Sequence, residues 1–302
     1  MADPPEIPLS SPDLTDADRS AVLEVLKTPR LSIGPRAEAF EAAITPRTRA
    51  ILPVEVFGNP AHFDEYERIA RGHGLRLIED CCEALGASLG GRPAGSFGDC
   101  GVFAFYPNKQ ITTGEGGMIV TDDEKLRDLC VSMRNQGRAG RQDDAWLSHV
   151  RLGYNYRMSE INAVLGERQM QRLDEILARR RQAAEMYDRA LGQIEEIHLP
   201  PMTDRRQASW FVYVIRLADR FTGKDRDAIL AHLAARGIGC SNYFVPIHTQ
   251  PYIMEMLGTK PGDFPVTERV AERTIALPFS ARITEAEIAQ VKEALAEAIA
   301  GR

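Results

Sequence analysis

The run Ala50-Ile-Leu-Pro-Val-Glu-Val-Phe57, the turn Gly58-Asn59-Pro60 and the run Leu75-Arg-Leu-Ile-Glu-Asp80 decide the fold. The first run reads as a mostly buried strand. Its Pro53 has no N–H to give a ladder and suits a strand edge or a bulge better than a centre. The turn leads into a helix predicted over 62–73, closed by Gly74 as a left-handed cap. The second run returns as a strand. Strand, helix and strand make a βαβ unit, and such units build parallel sheets, so the expected class is α/β.

Downstream, a Gly-rich segment over 86–101 leads to a strand at Val102–Tyr106, and Gly116-Gly117 precedes another at Met118–Thr121. Ser159 caps a long predicted helix whose apolar positions include Ile161, Leu165, Leu173, Ile176, Tyr187 and Leu191. The triplet Arg179-Arg180-Arg181 on that helix reads as a solvated face. After about residue 195 the texture changes. Trp210–Leu217 and Gly239–Phe244 read as strands, and Asp225–Arg236 as a helix ended by Gly237. A last helix opens at a capping box, Thr284 with Glu287, and carries Ile288, Val291, Leu295 and Ile299. Upstream, residues 1–14 form a Pro/Ser-rich arm, followed by a helix with Thr15 as N-cap that Pro29 stops. No internal repeat is found. The expected division is an arm and helix over 1–44, a parallel-sheet large domain over 45–165, and a linking helix with a smaller α+β domain over 166–302.

Composition narrows the function. The 302 residues are 44% hydrophobic and 26% charged, with a net charge of −6, which is ordinary globular material with ample core. No basic stripe matches a phosphate backbone, so nucleic acid is not an expected partner. No stretch approaches the ~20 apolar residues of a membrane span. The acidic, proline-bearing start is not read as a signal peptide. Five cysteines without a Cys-x-x-Cys pair, and six scattered histidines without ligand spacing, argue against a disulfide framework and a dedicated zinc site. The expectation is a soluble, reduced, cytoplasmic protein without a metal centre.

Asp80 ends a predicted parallel strand, where ligands of open α/β sheets bind. Lys109 follows the next apolar strand in Phe103-Ala-Phe-Tyr-Pro-Asn-Lys109-Gln, before Thr112-Thr-Gly-Glu-Gly-Gly117. Small residues around that amine leave room for something flat and large. Residue types alone leave open a solvated lysine and a structural aspartate.

Ile78 through Ala87, Ala94-Gly-Ser-Phe-Gly-Asp99 and Phe103–Gly117 closely resemble the pyridoxal-phosphate-dependent nucleotide-sugar (DegT-like) aminotransferases. Gly58-Asn-Pro60, Arg134-Asn-Gln-Gly137, Gly153-Tyr-Asn-Tyr-Arg-Met158, Tyr243–His248 and Leu277-Pro278 fit as well, as do Leu31–Pro35 and Phe40-Glu41 upstream. The resemblance implies the fold type I aminotransferase architecture, with a parallel-sheet, cofactor-binding large domain. It implies that Lys109 condenses with the aldehyde of pyridoxal 5′-phosphate as a nucleophilic amine and later carries a proton at the substrate carbon. It also implies that Asp80 pairs with the pyridine nitrogen and that Glu83, where the family usually has Gln, faces the phenolic oxygen. Asn155 would reach the cofactor phosphate of a neighbouring subunit, implying a homodimer with shared sites. His248 lies in a segment that borders the substrate pocket in relatives; a hydrogen-bonded loop histidine is the other reading. Relatives with His in place of the lysine dehydrate sugars, so Lys109 favours transamination, with an amino acid, glutamate most often, giving nitrogen to a keto-sugar nucleotide. A third reading is a pyridoxal-phosphate protein acting on a different acceptor, such as a cyclitol or aminobenzoate precursor.

The resemblance breaks between Glu41 and Thr45, where on the order of eighty residues of the family pattern are missing, most of a domain's worth of sheet and helix. That stretch normally carries a Ser-Gly-Thr helix start that binds the phosphate and an aromatic ring that stacks on the pyridine. Ala104 stands where many relatives have a phosphate-binding Ser, and Glu83 sets a carboxylate beside a phenolate oxygen. The large domain is therefore expected to be truncated, with uncovered strand edges and apolar faces. A cofactor-deficient, non-catalytic remnant is the alternative function.

Overall fold

The computed structural model describes residues 41, 43–139, 148–201 and 206–302. The helix expected from Thr15, the Leu31–Pro35 motif and Phe40 lie outside them. The first half is built on β1 (Ala50–Ile51), α1 (Phe63–Gly72), β2 (Arg76–Asp80), the hairpin β3 (Ser88–Leu89) and β4 (Arg92–Pro93), β5 (Cys100–Ala104) and β6 (Gly117–Val120), followed by α2 (Glu124–Arg134). The principal sheet runs β1-β2-β5-β6. Its first two pairings are parallel and the last is antiparallel. The βαβ unit forms as its apolar spacing dictates: Phe63, Ile69 and Ala70 of α1 bury against Ile51, Leu77 and Phe97. Gly74, at φ 65°, turns the chain out of the helix.

Two details of this half depart from the sequence reading. The first strand is cut to two residues, because Pro53 cannot donate to the ladder. Pairing resumes only as a bridge between Val54 and Asp80 before a 3₁₀ turn over Val56–Gly58. Leu52 and Val54 are exposed rather than buried. β6, at the other end of the sheet, has all four residues exposed, Met118, Ile119 and Val120 among them.

The long helix expected from Ser159 is two helices, α3 (Glu160–Met170) and α4 (Leu173–Leu191). Ser159 does cap α3, accepting the N–H of Asn162. No residue of α3 is buried, and Ile161 and Leu165 face outward. α4 instead follows its own stripe: Leu177 lies over Gly86, and Ala184, Tyr187 and Leu191 enter the C-terminal core. Arg180 lies on that stripe and is buried, so it is not part of a solvated face.

The second half holds β7 (Ile197–His198), β8 (Arg206–Gln207), β9 (Tyr213–Leu217), α5 (Gly223–Ala235), α6 (Pro251–Leu257), α7 (Pro265–Ala271), β10 (Thr274–Leu277) and α8 (Glu285–Ala300). An antiparallel sheet, β10-β9-β7, packs with α4, α5 and α8. Capping boxes start α5 at Thr222/Asp225 and α8 at Thr284/Glu287. Ile288, Val291, Leu295 and Ile299 are buried, as their spacing requires. The strand expected at Gly239–Phe244 shrinks to one bridge, Ser241 to Ala276, because the chain leaves the sheet to put the Tyr243 ring near Phe57 and Phe211. β8 pairs with β3, linking the two halves. Among the described residues no helix is long and apolar enough to cross a membrane.

Two buried carboxylates meet at the end of β2. Glu79 accepts N–H bonds from Gly95 (2.8 Å), Phe97 (2.5 Å) and Gly98 (2.7 Å); burial pushes its carboxyl up, and these three bonds pull it partly back. Glu55 is equally buried, and neither of its oxygens has a hydrogen-bond partner. Its carboxyl, that of Glu79 and the Cys81 thiol bring donor atoms within 4.8 Å of one another. The trio is a poor ligand set, because Glu79 is spent on backbone N–H groups and burial pushes the Cys81 thiol up. Burial first, then the charges of Glu79 and Asp80, push Glu55 up to about 9, so it is neutral at pH 7.

The unfolded chain ionises Glu55 above its ordinary value of 4.5, whereas the folded chain keeps it protonated to about 9. Stability from this group is therefore fully present below pH 4.5 and is lost as pH rises toward 9, at up to about 1.4 kcal/mol per pH unit. Glu55→Gln is expected to flatten that slope. Denaturant unfolding at pH 5, 7 and 8.5 checks this; an unchanged slope in the variant refutes it.

Candidate active site

Lys109 follows the end of β5, on a loop fixed at both ends. Its N–H bonds Tyr106 O at 3.0 Å, Thr113 N–H closes back on Phe105 O at 2.9 Å, and Thr112 N–H reaches Gln169 of α3 at 3.1 Å. The loop aims the amine inward. Lys109 Nζ lies 3.6 Å from Glu83 Oε1, with side-chain exposures of only 14% and 12%, and 4.1 Å from the centre of the Phe211 ring.

Glu83 is held by three segments. Its Oε2 accepts the Phe57 N–H at 2.8 Å. Its carbonyl accepts from Gln110 Nε2 at 2.5 Å and from Ser209 Oγ at 3.2 Å, and Gln110 also donates to Ser209 Oγ at 2.7 Å. Gly58 makes this approach possible. At φ 78°, a Cβ there would stand 2.6 Å from Ser209 Oγ and 2.7 Å from Glu83 O. Burial pushes the Glu83 carboxyl up; the Phe57 N–H and Lys109 pull it back, and Asp80 adds to the rise.

Asp80 ends β2 half-buried, accepting the Cys82 N–H at 3.1 Å. Burial, and then Asp80, push the neighbouring Cys82 thiol up to about 12, so that thiol is a neutral wall rather than a nucleophile. Asp80, Glu83 and Lys109 thus gather at the carboxyl end of the parallel strands.

Asn155 and His248 lie elsewhere. Asn155 is exposed and bridges Asn135, and none of the contacts that assemble the lysine site involves it. His248 is buried at 2% exposure; its Nε2 pairs with Glu268 at 2.8 Å and its ring packs on Phe264. That geometry is of a partnered loop histidine.

Several residues around Lys109 escaped sequence reasoning. Phe211 forms the face under the amine, and Tyr243 stacks with Phe244 while approaching Phe57 and Phe211. Arg180 donates to the carbonyls of Trp210 (3.0 Å), Phe211 (3.2 Å) and Lys109 (3.2 Å). Burial lowers its pKa to about 10, leaving it charged at pH 7. A signal for Arg180 was present, since it falls between Leu177 and Ala184 on the apolar stripe of α4. Phe211 offered none, because its partner is about a hundred residues away.

Residues 20–296 match the DegT/DnrJ/EryC1/StrS aminotransferase family. The chain is 36% identical over 260 residues to GDP-perosamine synthase of Caulobacter vibrioides, a match that spans 86% of this chain and 68% of that protein. Its fold is similar to that of the aminotransferase TlmJ from Streptoalloteichus hindustanus, with a TM-score of 0.80 and 26% identity over 90% of this chain and 71% of that one. It is also similar to Escherichia coli GDP-4-keto-6-deoxy-D-mannose-3-dehydratase, solved with hydrated PLP, with a TM-score of 0.76 and 25% identity over 86% of this chain and 70% of that one. With nearly its whole length matched and the fold shared, the chain belongs to the DegT/DnrJ/EryC1/StrS family of pyridoxal-phosphate-dependent sugar aminotransferases.

Proposed function

We propose that this chain moves an amino group from an amino acid, glutamate, to a keto-sugar nucleotide in polysaccharide or amino-sugar biosynthesis, in the cytoplasm, with Lys109 as the catalytic residue. The observation that carries the reading is the shielded amine of Lys109 set between Glu83 and the Phe211 ring. When bound, pyridoxal phosphate supplies an aldehyde for an amine and an electron sink for a carbanion. The chain's residues fit that group at its reactive end. Lys109 Nζ is desolvated and beside a carboxylate, placed to act as nucleophile and then to hold and move the proton at the substrate carbon. Asp80 would pair with the ring nitrogen, and Glu83 would face the phenolic oxygen.

Asn155 serves the neighbouring subunit of a homodimer; exposed Leu152, Tyr156, Ile161 and Val164 near it in sequence are apolar surface of the kind a partner covers. His248 supports the substrate side by anchoring the segment that presents Tyr243 and Phe244. The division proposed for the chain is an arm over 1–44, a large domain over 45–165 and a linking helix with a smaller domain over 166–302; its 165/166 boundary falls within α3, and α4 serves as the link. A second reading, a cofactor-deficient remnant, is favoured by one observation at the phosphate end: Ala104 closes β5 with a methyl group and no hydroxyl. The chain's 68% span of the Caulobacter synthase accords with the short spacing from Glu41 to Thr45.

Absorption spectroscopy separates the readings. Added pyridoxal phosphate is expected to give a visible band that Lys109→Ala lacks and that glutamate shifts to the amine form of the cofactor; no band at saturation supports the remnant. Glu83→Gln removes a charge that appears as pH rises through the raised carboxyl value. It is expected to tighten cofactor binding severalfold at pH 8.5 and by less at pH 6. Equal titrations of wild type and variant at both pH values count against Glu83 facing the phenolic oxygen.

A further inference from the structure

Arg180 is 7% exposed, and no carboxylate pairs with it among the described residues. Burying an unpaired cation is costly, so its gains must come from elsewhere. They come from three charge-assisted bonds to carbonyl oxygens and from the Phe279 ring, 5.7 Å from the guanidinium carbon. Its Nε has no partner. Two of the three carbonyls belong to the residues that define the reactive amine: Lys109 itself, and Phe211, whose ring lies under Lys109 Nζ.

We propose that Arg180 is a positioning residue for Lys109, one guanidinium fixing both the backbone root of the lysine and the aromatic face beneath its amine. The proposal rests on the reading of Lys109 as the reactive amine. A lysine side chain is long and flexible, so its nitrogen keeps a fixed place only if root and resting surface are held together. The fork of Arg180 does this from α4, through Nη1 to Trp210 and Phe211 and through Nη2 to Lys109. α4 also gives Tyr187 and Leu191 to the C-terminal core. Arg180 is therefore where the C-terminal unit sets the geometry of the lysine loop. Arg179, one residue earlier, is half-exposed and pairs with Glu175 at 2.7 Å, which makes it the control.

The test compares Arg180→Met, Arg180→Lys and Arg179→Met with the wild type. The first readout is the rate at which trinitrobenzenesulfonate labels Lys109, followed by peptide mass spectrometry without cofactor. The second is visible circular dichroism of the pyridoxal-phosphate-loaded protein, which reports how rigidly the bound group is held. Arg180→Met is expected to label at least about tenfold faster and to lose most of the dichroic band, with Arg180→Lys between, since an ammonium cannot span the same carbonyls. Arg179→Met is expected to match the wild type. Arg180→Met labelling at the wild-type rate overturns the proposal. Should that variant fail to fold, Arg180→Lys decides, and wild-type labelling and dichroism there overturn it equally. Labelling needs no turnover, so a wild type that does not transaminate counts against the proposed function and not against Arg180.

Discussion

Glu83 is the point on which the site depends. Its carboxylate takes the Phe57 N–H and faces Lys109, while its carbonyl gathers Gln110 and Ser209. Segments far apart in sequence are thereby fixed to one residue after β2. The arrangement is possible only because position 58 lacks a side chain. A buried carboxylate held by one N–H and one ammonium is a narrow balance, since burial raises its pKa and its partners lower it again. The lysine loop inherits its position from that balance on one side and from Arg180 on the other.

The same economy of partners governs the end of β2. Glu79 draws three backbone N–H groups around itself, ordering the Gly95–Gly98 turn next to β5. Glu55 receives none and is buried neutral. Asp80, the third carboxyl of the group, ends the strand half-buried on the active-site side. One bonded by three N–H groups, one buried without a partner, one half-buried at the strand end: three acids in a small space are separated by environment, not by type.

Much of this was legible in the sequence. The βαβ unit, the Gly74 cap and the Thr284 capping box follow from local rules, because each is decided within a few residues. Asp80, Glu83 and Lys109 stood out through the resemblance of their segments, and the structure brings them together. What escaped depended on distance or on a missing neighbour. Phe211 and Ser209 meet the lysine loop only through tertiary packing. Arg180 reads as surface by its charge, although its position on the stripe of α4 points inward. α3 carries apolar Ile161 and Leu165, yet both are exposed; the helix meets the lysine loop through Asn162 and Gln169, and among the described residues nothing covers its apolar positions. β6, exposed at all four residues, belongs with it.

Borohydride reduction of the protein equilibrated with pyridoxal phosphate, followed by peptide mapping, decides whether Lys109 is the residue that captures the cofactor. One modified peptide, carrying the phosphopyridoxyl group on Lys109, is the expected result. Modification spread over other lysines, or none at all, rules Lys109 out as the reactive amine.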